Sequence, residues 1–305
     1  MVFEKKIQPT IFHSFTIKPT ISGLIAARIF NVPIRIATVA GLGHIFLSSS
    51  PLVRLLAIYL LRVSMMCAHR VYFYNQTDCD EYVNRGIVPL NKVRIVAGSG
   101  IDTARFPVPP LPDKKELSLA FVGRLLREKG VPELLEAMYA LRAKGDFPIL
   151  HLIGDIDHNN PSSISKLELD RAIQDGLVQW HGHVADIRQL VAQADVIVLP
   201  SHREGIPLSL LEGAAMGRAL IATDVPGCRD VVLHGMTGLL VPLNDSGALA
   251  DAIATLANDR AMVADMGKSA REDVVTRFDT NIVNAAVIAD YKALTASLRP
   301  TFYDV

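Results

Sequence analysis

From residue 115 onward the chain repeats one unit: a short apolar run rich in β-branched residues, a polar turn, then a segment of helical period. The runs are "LSLAFVGR", "PILHLIGD", "VQWHGH", "DVIVLPS", "ALIATDV" and "GLLVP", and the helical segments begin near Val131, Ile164, Ala185, Pro207, Cys228 and Ser246. Strands that are apolar on both faces and alternate with helices belong to a parallel sheet covered on both sides. Right-handed crossovers then give a doubly wound, Rossmann-like domain, whose ligands bind beyond the carboxyl ends of the strands.

Residues 7–101 show a shorter version of the pattern. Strands are expected at "TIFHSF", "IRIATVA", "RVYFYN" and "KVRIVAG", with helices near 19–30, 51–69 and 77–85. A full Rossmann-like domain needs about two more βαβ units, roughly 60–70 residues, so the first domain reads as incomplete. The segment "DTARFPVPPLPDKKE" carries four prolines and a charge cluster, as a linker does. The expected organisation is a partial first domain over 1–107, a linker over 108–116, a second domain over 117–280, and a C-terminal helix and tail over 281–305.

Thirty-one basic residues balance thirty-one acidic ones, which gives no global field for nucleic acid. Cys67, Cys79 and Cys228 have no disulfide or zinc spacing, which points to a reducing cytoplasm. The start lacks the apolar core of a signal peptide, and the "NQT" at Asn75 is read as a chance match to a glycosylation pattern. The most apolar stretch, from Pro51 to Arg70, is interrupted by Arg54 and Arg62, which leaves no uninterrupted apolar run long enough to span a bilayer. On a helical wheel Arg54, Arg62 and His69 share one side, opposite Leu55, Leu56, Val63 and Met66. Such a helix either packs its apolar side on a sheet or lies on an anionic membrane surface.

The chemistry-bearing residues gather at strand ends. Gly123 and Arg124 end "LAFVGR", and Lys129 precedes Gly130 and a helix start. Cations beside flexible glycines and a helix N-terminus suit a diphosphate, although loop cations are also commonly just solvated. Glu204 follows "DVIVLPS" in a turn with Gly205, Ile206 and Pro207, and Glu212 lies in the helix beyond. Carboxylates so placed accept hydrogen bonds from vicinal sugar hydroxyls, while Glu212 alone would pass for a surface helix glutamate. In the first half, His13 ends a strand and Lys18 follows in "TIKP"; a core histidine and a helix-start lysine are the alternatives. Gly41 and Gly43 of "AGLG", with Gly98 and Gly100, read as tight loops that let backbone approach a ligand, or as generic turns.

The run "FVGRLLREKGVPELLEA", then "HLIGD", then "VQWHGHVADIRQLVAQADVIVLPSHREGIPLSLLEGAAMGRALIATDVPGCRDVVLHGMTGLLVPLND", resembles the C-terminal half of a family 4 glycosyltransferase of GT-B fold. "HSFTIKPTISGLIAARIFNVPIRIATVAGLGHIF" and "VRIVAGSGIDTARF" are similar to bacterial members that build cell-surface glycans on lipid-diphosphate carriers. The resemblance implies two Rossmann-like domains facing a cleft, the first N-terminally truncated. It implies retaining transfer of a hexose or N-acetylhexosamine from a nucleotide-diphosphate sugar, usually UDP-linked, to a polyprenyl-diphosphate-linked glycan. Neither a metal nor a further cofactor is expected, and the enzyme would work in the cytoplasm, with peripheral contact to the anionic inner face of the membrane.

Carried to these positions, Arg124 and Lys129 would bind the donor diphosphate, and Glu212 the ribose hydroxyls. Glu204, with the amides of Gly205 and Ile206 and the adjoining Pro207, would meet the donor sugar. His183 and Val184 would line the base pocket, and His13 and Lys18 would serve the donor sugar or the acceptor diphosphate. The chain departs from its relatives at Ala40, where many carry histidine, and at Asp230, where glutamate is usual. A truncated remnant that binds nucleotide sugar without transferring it, and a UDP-sugar 2-epimerase of the same fold, are the competing expectations.

Overall fold

A computed structural model describes residues 8–41 and 51–298, the Pro51 side chain excepted, so expected loop residue Gly43 lies outside the described residues. Two compact units emerge, one of residues 1–100 with 281–305 and one of residues 101–280. In the first, strands β1 (Ile11–Phe15), β2 (Ile34–Val39), β3 (Arg70–Phe73) and β4 (Val93–Ile95) form a parallel sheet in that order. Helices α1 (Ile17–Ile29), α2 (Pro51–Met66) and α3 (Gln76–Asn84) connect them. All six residues of β2 are buried, as a central strand covered on both faces requires.

One face of this sheet packs Leu24, Leu61, Met65, Val71, Phe73 and Tyr82 into a single core. The opposite face, with Ile34, Ile36 and Tyr72, is met by Val287, Tyr291 and Leu294 of the last helix, α11 (Thr280–Ala296). Asp290 of that helix accepts hydrogen bonds from Tyr72 at 2.8 Å and Arg70 at 3.0 Å. Asn75, in the glycosylation-like triplet, is 1 % exposed and caps α3 by accepting from the Asp78 amide at 2.8 Å.

Helix α2 differs from its helical-wheel reading. Leu61, Ser64 and Met65 are buried, whereas Leu55, Leu56 and Met66, the side expected to pack, are 66, 58 and 70 % exposed. The sheet takes the stripe at 58, 61 and 65 because three- and four-residue steps stay on one face, and the apolar residues between them are left outside. No helix among the described residues is long and apolar enough to cross a membrane.

The second unit holds β5 (Ser118–Val122), β6 (Ile149–Ile153), β7 (Val178–Trp180), β8 (Val196–Leu199), β9 (Ala219–Thr223) and β10 (Gly238–Val241). They form one parallel sheet in the order β10-β9-β8-β5-β6-β7. Helices α4 (Val131–Ala143), α5 (Lys166–Gln174), α6 (Arg188–Val191), α7 (Leu208–Ala215), α8 (Cys228–Val231) and α9 (Ser246–Asn258) link the strands, and α10 (Arg260–Arg277) follows. Strand order reverses between β5 and β8. That switch point is where a doubly wound sheet opens a crevice for ligand.

The proline-bearing segment expected as a free linker belongs to the second unit. Buried Arg218 donates to the carbonyls of Pro109 and Pro110 at 3.0 and 3.2 Å. Arg271 donates to the Thr103 carbonyl at 3.2 Å, and Thr103 to Asp279 at 2.5 Å. Prolines retain their carbonyl acceptors while offering no amide, so a buried arginine is a fitting anchor. The chain therefore passes between units at Gly100 and Ile101, before 108–116.

Candidate active site at the β5/β8 switch point

Three segments converge at the carboxyl ends of β5 and β8. A single 3-10 turn, Arg127–Lys129, follows β5 and ends at Gly130, whose φ of 74° lies in the left-handed region. A Cβ there would sit 1.9 Å from the Pro200 carbonyl oxygen, so only glycine lets this turn touch the end of β8. The second segment, Ser201–Pro207, leaves β8 and is tied to the next loop by the Glu204 amide, which donates to the Pro226 carbonyl at 3.2 Å. The third is α7, which lies close on the sheet because a side chain at Gly213 would collide with Ile197 of β8 at 2.2 Å.

The close approach of the first two segments produces an ion pair. The Lys129 ammonium meets Glu204 Oε1 at 2.5 Å, their side chains 26 and 12 % exposed. Ser201 donates to the same carboxylate oxygen at 2.7 Å. A charge pair screened from water but not sealed from it keeps much of its Coulomb energy. Sequence reasoning named both charged partners and missed Ser201, although its place three residues before Glu204 was the available local signal.

Glu212 is half-buried in α7. Burial pushes its carboxyl up to about 7. No described side chain is hydrogen-bonded to this carboxylate, which leaves its acceptor capacity for donors from outside the fold. Arg124 is more exposed and reaches Asp157 at 3.3 Å. Gly123 follows β5 at a positive φ of 157°, a conformation that side-chain-bearing residues rarely adopt, and Gly205 and Ile206 are half-buried, with Pro207 buried as the N-cap of α7. His183 is exposed and Val184 half-buried in the loop after β7. Asp230 is occupied locally: its Oδ2 accepts from the Gly227 amide at 2.9 Å and caps α8.

The first-unit candidates have other surroundings. His13 Nε2 meets the Thr38 hydroxyl at 2.7 Å and Nδ1 meets the Tyr291 hydroxyl, so both ring nitrogens are engaged. Burial holds the ring down to about 4, and it stays neutral. The histidine is satisfied by side chains rather than by backbone. Lys18 is exposed in the first turn of α1, and Gly41 ends the described part of its loop with φ 152°.

Residues 116–259 match the family described as glycosyl transferases group 1. They form a group 1 glycosyltransferase domain, and the protein is a transferase. It is 29 % identical over 294 residues to the N,N'-diacetylbacillosaminyl-diphospho-undecaprenol alpha-1,3-N-acetylgalactosaminyltransferase of Campylobacter jejuni, spanning 92 % of this chain and 76 % of that one. It is 28 % identical to the capsular polysaccharide biosynthesis glycosyltransferase CapM of Staphylococcus aureus, over 93 and 76 % of the two chains. In fold it resembles Anabaena HepE, solved with UDP and glucose, with TM-score 0.81 and 20 % identity over 95 % of this chain and 80 % of the other. The glycosyltransferase is thus of GT-B fold, with two Rossmann-like units.

Proposed function

We propose that this glycosyltransferase takes a hexose or N-acetylhexosamine from a UDP-linked donor and delivers it, with retention at the anomeric carbon, to a lipid-diphosphate-linked glycan. The single observation that carries the donor site is the Lys129–Glu204 ion pair at the strand-order reversal, followed by a helix that carries Glu212, a carboxyl shielded from water and without a side-chain partner among the described residues. The names of two relatives support the polymer class: one acts on a diphospho-undecaprenol substrate and the other in capsule synthesis. HepE, crystallised with UDP and glucose, supports a UDP donor.

In this reading the ribose hydroxyls donate to Glu212 and exploit its free acceptor positions. Lys129 exchanges its contact with Glu204 for the donor diphosphate, and Arg124 swings from Asp157 to join it. Fixed positive charge is then aimed at the oxygen that becomes negative as the glycosidic bond breaks. Glu204, held by Ser201, faces the sugar with the Gly205 and Ile206 amides; His183 and Val184 border the base. No step requires a metal or a further cofactor. Lys18 and the Gly41 loop are assigned to the acceptor side, and His13 supports that strand.

The experiment is transfer from a panel of UDP-hexoses to a short polyprenyl-diphosphate glycan, with anomeric configuration read by NMR. Retention, with loss of about 10²-fold or more in kcat for Lys129→Ala, is the expected outcome. An inverted product, or free epimerised UDP-sugar without transfer, would refute it.

A further inference from the structure

Three bonds tie the segment between β8 and α7 to the start of α4. The Lys129–Glu204 ion pair is the first. His202 makes the other two: its amide donates to the Glu128 carbonyl at 2.9 Å, and its Nε2 meets Glu133 Oε1 at 3.0 Å. An ionised carboxylate only accepts, so Nε2 carries the proton and donates it into this bond. On its other side the segment is held through its own main chain, the Ser201 carbonyl accepting from the Thr223 hydroxyl and the Glu204 amide donating to the Pro226 carbonyl.

The local structure of α4 turns Glu133 toward His202. Glu133 lies in the first helical turn, where the helix dipole favours a carboxylate. A glutamate so placed commonly reaches back to the N-cap amide, but the Gly130 amide already donates to the Arg127 carbonyl at 2.9 Å. Its side chain is 19 % exposed, and Oε2 is buried with no hydrogen-bond partner among the described residues. A carboxylate shielded in this way, with one oxygen unpaired, depends on the proton it receives at the other.

The three bonds cease to be equivalent when a donor arrives. In the donor reading proposed above, Lys129 gives up Glu204 for the diphosphate, just when Glu204 and the Gly205 and Ile206 amides must face the sugar. The bonds of His202 do not compete for the donor charge. We propose that His202, braced by Glu133, is a positioning residue: it holds residues 201–207 against α4 while Lys129 is engaged by the diphosphate, and acts on the sugar through Glu204. The departure of Lys129 rests on the donor reading; the tether itself does not.

The test is hydrogen exchange of residues 201–207 in the full chain, for the natural sequence, Lys129→Ala, His202→Phe and the two changes together, beside calorimetric titration with UDP and steady-state transfer from the UDP-hexose panel. Lys129→Ala imitates the loss of the ion pair. Each single change is expected to speed exchange within about twofold, and the pair about twentyfold or more. His202→Phe should lower kcat about tenfold while KM for the donor and UDP affinity stay within about twofold, and His202→Gln, which keeps a donor toward Glu133, should restore most of the loss. Exchange in the pair no faster than the product of the single effects, UDP affinity falling along with kcat, or no rescue by glutamine would overturn the proposal. Absence of transfer by the natural protein would instead refute the donor reading, and the exchange series would then decide the tether by itself.

Discussion

The two units solve the same problem differently. The second unit buries every residue of β8 and β9 and brings Lys129 and Glu204 together at one switch point. The first unit has a four-stranded sheet, and its second helix is apolar on the buried side and on the solvent side alike. What sets the two apart is where free energy is left unsatisfied. In the second unit it resides in a carboxyl held away from water, and in the first in the exposed leucines of α2.

The sharpest way to break this comparison is at the tight contacts. Gly130→Ala must move the Pro200 backbone and adopt a disfavoured φ; we expect a loss of about 3 kcal/mol or more, read by denaturant unfolding, together with loss of nucleotide binding. In the first unit Leu61→Ala, at a fully buried position of α2, is expected to cost about 2–5 kcal/mol.

The pH response separates the units next. The folded chain holds the Glu212 proton more tightly than the unfolded chain does. Its stabilising contribution is therefore complete below the ordinary carboxyl range and is lost as pH rises through about 7. Glu212→Gln should remove that decline, worth on the order of 2–3 kcal/mol between pH 4.5 and 8, in melting curves across that range. His13 works in the opposite direction: its contribution is present above about 6.5 and lost as pH falls toward 4, a sensitivity that His151 shares in the second unit. A Glu212→Gln profile parallel to that of the natural protein would remove the distinction.

Smaller effects sharpen the picture. A double-mutant cycle on Lys129→Ala and Glu204→Gln should return a coupling of about 1–2 kcal/mol, more than a surface pair gives. Leu56→Ser on the outer face of α2 should change stability by no more than about 0.5 kcal/mol, in contrast to Leu61→Ala on the inner face.

Much of the architecture was legible in the sequence because buried parallel strands are short, continuous apolar runs. β2 and β8, buried throughout, are read without ambiguity. The orientation of α2 was not legible, since a helix apolar all round offers no single face to choose. Nor was the environment of His13, whose partner Tyr291 lies 278 residues away. The proline segment looked free because its anchors, Arg218 and Arg271, are distant in sequence and announce no local pattern. At the candidate site, spacing placed Lys129 and Glu204 near the same strand ends. Their direct pairing depends on the left-handed turn at Gly130, which periodicity does not reveal.

The most direct test of the account is calorimetric titration of UDP into the natural protein and its Glu212→Ala variant at pH 8. Binding by the natural protein that the variant weakens by about 1–3 kcal/mol is predicted, the cost of leaving ribose hydroxyls unpaired. Binding to a folded natural protein that Glu212→Ala leaves unchanged, or no binding at all, would contradict the placement of the donor at the β5/β8 switch point.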